Sequence, residues 1–299
     1  MHAPATYAKA VPILPGFAAL AERYDGFILD LWGTIHDGIR PWPGAVECLA
    51  ELKRRGKCVL VLSNAPRRSH LAIQRMDEMG IPRAGYDGVL TSGEAARDAL
   101  VARTDAWHCR LGRRCHLLGP PKDDSVLEDV DHERVDDLAH ADYIVNVGVR
   151  RRMDGLAEYE SFLGDAAALK LPMICCNPDY EVLRGDDREL CAGALARRYG
   201  ELGGDVYHHG KPHAPIYAES MKRLGLSDLR RVLAVGDALR TDVAGAAAVG
   251  MDAVLITSTG ILAKELGTAP FRDPDPAALA QLCAAAGQHP LAALAAFRW

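Results

Sequence analysis

Short apolar runs that stop abruptly at a small or polar residue recur along this chain, and nothing else in the sequence constrains its fold as much. FILDLW (27–32), CVLVLSNA (58–65), GVLTSG (88–93), YIVNVG (143–148), PMICCNPD (172–179), VLAVGDA (232–238) and AVLITSTG (253–260) have the length and character of buried strands. Helical patterns lie between many of them. PGAVECLAELKRRG (43–56) opens with proline and closes on glycine after basic residues, and PRRSHLAIQRMDEMG (66–80) is a second. Strands alternating with helices predict an α/β fold with a doubly wound parallel sheet. In such sheets ligands bind beyond the carboxyl ends of the strands, so the polar residues there matter most: Asp30, Ser63 with Asn64, and Asp237.

At 299 residues the chain exceeds what one hydrophobic core usually spans, so two lobes are expected, a domain with a substantial insertion. The formal charge of −5 is dispersed, and no basic field points to nucleic acid or an anionic membrane. No uncharged apolar stretch reaches the roughly 18 to 20 residues of a spanning helix, and MHAPATYAKAVPILPGF lacks the layout of an export signal. Eight cysteines occur without a CxxC pair, and several sit in apolar runs as small hydrophobes, which fits a reducing, cytoplasmic setting. A small molecule is the expected partner.

Any one polar residue at a strand end reads adequately as turn or helix-cap chemistry. The set says more. Two carboxylates, a hydroxyl with an amide, and Lys211 in GKPH (210–213) ahead of another helical pattern would, at one sheet edge, make a site for a divalent metal and a phosphoryl group.

The order Asp30 in DLWGT, Ser63 in LSNA, Lys211 in GKP, and Asp237 with Asp242 in GDALRTD resembles the four motifs of the haloacid dehalogenase (HAD) superfamily. DGIRPWPGA, SNAPRRS, CCNPD and GKPHAPIY resemble its NagD-like branch more closely. The resemblance covers nearly the whole chain. It implies a discontinuous Rossmannoid core (1–91 and 206–299) carrying an inserted α/β cap (92–205) that selects the substrate. It also implies Asp30 as nucleophile, forming an aspartyl-phosphate, and Mg²⁺ held by Asp30, the Trp32 carbonyl and Asp237, with Asp242 as a further ligand or as an anchor for the ligands. Lys211 would offset phosphoryl charge, while Ser63, the Asn64 backbone and the turn at Gly33 hold the oxygens. Asn177 and Asp179 of the cap are the implied substrate contacts, against an ordinary Asx turn. Branch relatives commonly pair through the cap, so a homodimer is compatible with the resemblance.

Trp32 departs from the pattern. Phosphatases of this superfamily usually carry a second Asp two residues after the nucleophile, as general acid and base, and an indole can be neither. Three readings follow: a phosphohydrolase with a substitute proton carrier or an undemanding leaving group; a dehalogenase attacking carbon, which also carries an aromatic residue after the nucleophile; or a weakly active protein retained for ligand binding or regulation. Asp237 and Asp242 favour the first over the second, since attack at carbon needs no Mg²⁺. His36 and Asp37 are candidate proton carriers, against the plainer reading of HDG as a tight turn.

Other features read more plainly. Arg150, Arg151 and Arg152 after a cap strand could meet an anionic substrate or form a solvated surface. KDDSVLEDVDHERVDD (122–137) lacks EF-hand spacing and reads as a solvated, partly helical face, and Cys109, Cys115 and His116 do not complete a zinc pattern. LAALAAFRW at the end is expected to form an amphipathic helix.

Overall fold

The computed structural model describes residues 10–120, 123–184 and 187–299. The first nine residues, part of the segment searched for an export signal, and Lys122 of the acidic stretch lie outside them. The strands in chain order are β1 (Ile13–Leu14), β2 (Gly26–Leu29), β3 (Cys58–Ser63), β4 (Gly88–Thr91), β5 (Arg114–Leu118), β6 (Glu133–Arg134), β7 (Tyr143–Asn146), β8 (Met173–Cys175), β9 (Glu181–Arg184), β10 (Asp187–Leu190), β11 (Val206–His208), β12 (Val232–Gly236), β13 (Asp252–Ile256) and β14 (Ala292–Leu294). Seven form a sheet in the order β1-β14-β13-β12-β2-β3-β4 and five form another in the order β11-β8-β7-β5-β6, while β9 and β10 make a separate hairpin. This is the α/β architecture that the alternating sequence predicts. Among the described residues no helix is long and apolar enough to cross a membrane.

By packing, the chain divides into two units, Met1–Val61 with Met79–Gly88 and Ser220–Trp299, and Leu62–Glu78 with Val89–Glu219. In the first, β2 and β12 run side by side in parallel and are buried throughout, as strands covered on both faces must be. Their carboxyl ends lead into Asp30 and Asp237. In the second, strand periodicity splits the core between two faces. Leu117, Val145 and Ile174 point into one cluster. Leu118, Ile144, Met173 and Cys175 point into the other, beneath Tyr159 and Leu163. β11 starts at Val206 and pairs with β8, so the five-stranded sheet runs just past residue 205.

Two expectations are corrected. LAALAAFRW is not helical: Ala292–Leu294 is β14, parallel to β13 and β1. Alanine favours helix locally, but main-chain pairing on both sides, with Thr257 N–H donating to the Leu294 carbonyl and Ala293 N–H to that of Pro12, overrides that preference. The small side chains, buried from Ala292 to Ala296, suit a strand covered on both faces. The acidic stretch forms a 3₁₀ turn, Ser125–Leu127, whose residues are buried, and the exposed two-residue strand β6, with no α-helix among its described residues.

Phe297 anchors this end, fully buried and edge-on to Phe17 at 5.0 Å between ring centroids. Phe297→Ala should lower the unfolding free energy by about 3–5 kcal/mol. Chemical denaturation of the variant against the wild type checks this.

Candidate functional site

β2 and β12 position an acidic cluster within the first unit. Asp30 follows β2 directly, and its N–H donates to the Val235 carbonyl of β12 at 2.8 Å. Asp237 follows β12. Asp242 sits in a π-helical turn, Leu239–Val243, where the N–H groups of both Asp242 and Val243 reach the Ala238 carbonyl. Such turns recur at functional sites because they reset the direction of side chains. One carboxylate oxygen from each of the three acids lies within 4.8 Å of the others. Asp30 is 7% exposed and Asp242 4%.

The surrounding backbone is shaped to this cluster. An Asp237 oxygen accepts from the Ile261 N–H at 2.8 Å, and one from Asp242 accepts from the Ala238 N–H at 3.2 Å. A side chain at Gly33 or Gly260 would come within 2.2 or 2.0 Å of the Asp237 carboxylate, so only glycine lets the chain pass there. The Thr259 hydroxyl ties these segments together by donating to the Gly33 carbonyl at 2.6 Å. Thr259, Gly260 and Ile261 were not anticipated as site residues; their one signal in the sequence is the TSTG that ends an apolar run, as SNA and GDA do.

Trp32, half-buried, folds back over its own loop. Its indole packs where a Gly38 side chain would lie, and it meets the His36 ring edge-on at 5.2 Å. The loop closes on itself, with Gly33 N–H donating to the His36 carbonyl and Trp42 N–H to that of Ile35. Asp37 makes the turn expected of HDG, one oxygen accepting from the N–H groups of Ile39 and Arg40 at 2.8 Å each. His36 is buried, and its Nδ1 accepts from the Gly38 N–H at 2.9 Å, so the neutral ring carries its proton on Nε2.

In the second unit the predicted polar residues form a framework around Lys211, which is 3% exposed. The Asn64 side chain grips the main chain of Lys211 from both sides: Oδ1 accepts from the Lys211 N–H at 2.8 Å, and Nδ2 donates to the Lys211 carbonyl at 3.0 Å. Oδ1 also accepts from the Ser92 hydroxyl, and Nδ2 donates to Asp179 at 3.0 Å. The Ser63 hydroxyl accepts from the Ala65 N–H. Asn177 closes the Asx turn that NPD suggests, accepting from the Asp179 N–H at 3.0 Å.

A buried relay stands just before this lysine. Asp105 and His108 meet through Nδ1 at 2.6 Å, and the His108 and His209 Nε2 atoms are 3.1 Å apart. Burial raises the Asp105 carboxyl, but the hydrogen bonds from His108 and Trp107 outweigh it and hold it below its ordinary range. Burial, reinforced by the neighbouring histidines, drives His209 down to about 3. Nothing local in the sequence couples residues 105 and 209.

Acids gathered at the ends of parallel strands accord with a hydrolase of the α/β class, and the chain belongs to the haloacid dehalogenase-like hydrolases. Family models match residues 27–133, described as haloacid dehalogenase-like hydrolase, and 208–286, described as HAD-hydrolase-like. A haloacid dehalogenase-like hydrolase from Brucella suis is similar in structure, with TM-score 0.81, 32% identity, and coverage of 95% of this chain and 99% of that one. Bovine chronophin is 30% identical over 90% of this chain and 88% of its own length. The D-glycerol 3-phosphate phosphatase of Mycobacterium tuberculosis is 27% identical over 81% of this chain, the match spanning 65% of that enzyme.

Between pH 6.5 and about 3 the unfolded chain protonates residue 209 while the folded chain does not, so His209 costs stability as pH falls through that window. His209→Gln should flatten the acid limb of the stability profile by up to about 1.4 kcal/mol per pH unit. Urea midpoints measured from pH 7 down to 4 check this.

Proposed function

We propose that this protein is a Mg²⁺-dependent phosphohydrolase acting on a small phosphorylated metabolite through an aspartyl-phosphate at Asp30. The observation that carries this reading is the convergence of Asp30, Asp237 and Asp242 at the carboxyl ends of β2 and β12. Three mostly buried carboxylates suit a hard divalent cation that prefers oxygen ligands. Asp30, Asp237, Asp242 and the Trp32 carbonyl would hold the ion, which when bound offsets negative charge on the transferring phosphoryl group. The related phosphatase of M. tuberculosis acts on glycerol 3-phosphate, which supports a small phosphate ester as the class of substrate.

In this mechanism a carboxylate oxygen of Asp30 attacks phosphorus and the bond to the leaving oxygen breaks; water then releases phosphate from the acyl phosphate and restores Asp30. Lys211, held in place by the Asn64 side chain, supplies positive charge, and Ser63, the Asn64 backbone and the turn at Gly33 orient the phosphoryl oxygens. Residues 92–205 act as the cap, with Asn177 and Asp179 meeting the substrate. The leaving oxygen must take a proton that Trp32 cannot give. The carboxylate of Asp37 is committed to its own turn. Aryl and acyl phosphates, which leave without a strong acid, are therefore the favoured substrates.

Phosphate release from a panel of alkyl, aryl and acyl phosphates tests the proposal. Asp30→Asn should reduce turnover by about 10³-fold or more, and removing Mg²⁺ with a chelator should abolish it. Full activity after either change would overturn the reading. Trp32→Asp should raise kcat on alkyl phosphates by about 10²-fold and change aryl phosphate turnover far less.

A further inference from the structure

The second unit contains a cavity of about 330 Å³ that includes none of the residues of the acidic cluster or of the framework around Lys211. Its sheet, read as β6-β5-β7-β8-β11, is parallel throughout, and the chain reverses direction across it between β5 and β7. Open α/β sheets bind ligands beside such a reversal. The cavity draws His116 from β5, Arg150 from beyond the carboxyl end of β7, and Asp136 from beyond that of β6; Phe162, Asp165 and Leu169 come from the helical segment that follows β7.

His116 is the anomaly. On a face otherwise given to Leu118, Ile144, Met173 and Cys175, it is 7% exposed, and neither ring nitrogen has a hydrogen-bond partner among the described residues. The backbone of Val135 and Asp136 comes near enough to favour the charged ring, but neither meets a nitrogen at hydrogen-bonding geometry; burial, followed by Arg150, keeps the imidazole below its ordinary range and neutral. A buried polar group left unmatched calls for an occupant. Beside it the Arg150 guanidinium lies 4.9 Å from the centre of the Phe162 ring and has no carboxylate within ion-pair distance among the described residues. Leu169, 48% exposed, adds an apolar wall.

The lining sets the chemistry of the occupant. One guanidinium without an ion-pair partner fits one carboxylate, and Phe162 and Leu169 fit an apolar side chain. Asp136, Asp137 and Asp165, also in the lining, disfavour a simple anion such as phosphate and would receive an ammonium group. The volume suits a molecule of amino-acid size. We infer that this cavity is a binding site for a small zwitterion of the α-amino acid class, its carboxylate on Arg150, its ammonium among the aspartates, and a polar group in contact with His116.

Calorimetric titration of the full chain with each of the twenty L-amino acids tests this. Phenylacetate, phenethylamine and inorganic phosphate serve as probes lacking one charge or the other. The expected result is saturable one-to-one binding of at least one apolar amino acid, tenfold or more weaker in Arg150→Gln and in His116→Phe, and unchanged in Asp237→Asn. Circular dichroism confirms that each variant is folded, and Arg150, at the surface, can be changed without disturbing the core. No saturable binding up to about 10 mM would overturn the inference. So would phenylacetate binding as tightly as the amino acid, phosphate binding as tightly and weakened in Arg150→Gln, or affinity unchanged in folded Arg150→Gln. Because the readout is binding, either result leaves the phosphohydrolase reading to its own test.

Discussion

Three carboxylates within 4.8 Å of one another resist being brought together, and the first unit is organised around holding them there. Two like charges at that separation repel by about 3 kcal/mol or more at the effective dielectric of a protein site. The fold meets this cost with rigid supports. Asp30 and Asp237 are carried out of two adjacent, fully buried strands, so their spacing is set by main-chain pairing. Asp242 is turned toward them by a π-helical turn. Backbone N–H groups from Ile261 and Ala238 absorb part of the charge, and glycines at 33 and 260 allow the chain to close in. A bound divalent cation would offset most of the remaining repulsion, which is why the cluster makes sense as a metal site.

Trp32 enters the proposed metal site through its main chain alone. The indole turns away to pack on Gly38 and His36 and closes the loop that bears Asp30. The position where the family resemblance implies a proton-transferring acid is here given to packing, so the proposed chemistry is metal-supported displacement without a dedicated acid. The side chain of Asn64 shows a similar division of labour, spending all its hydrogen bonds on fixing the main chain of Lys211 and linking it to Ser92 and Asp179. The lysine's position is thus set by an amide 147 residues away in the chain.

Much of this was legible from sequence, and the physical reason is locality. A buried parallel strand must be apolar on both faces, and the residue that ends it must face the ligand edge, so Asp30, Ser63 and Asp237 could be named from their runs alone. The Asx turns at Asp37 and Asn177 depend on residues two or three positions away and were readable for the same reason. What depends on distant partners was not. Ala292–Leu294 has a helical composition and becomes a strand because β13 and β1 flank it. The Asp105–His108–His209 relay joins residues about a hundred positions apart, and His116 looked like an isolated histidine until Arg150 and Phe162 were seen around it.

The sequence by itself determined the α/β class and pointed to Asp30 and Asp237, because strand burial and turn chemistry act over a few residues; Asp242 and the order of the motifs came from the family resemblance. Tertiary structure decided the rest: which way Trp32 points, what Asn64 grips, that the chain ends in a strand, and that His116 lines a cavity. Each of these is an energy difference between partners far apart in the chain, and such a difference is set only when the sheets have formed.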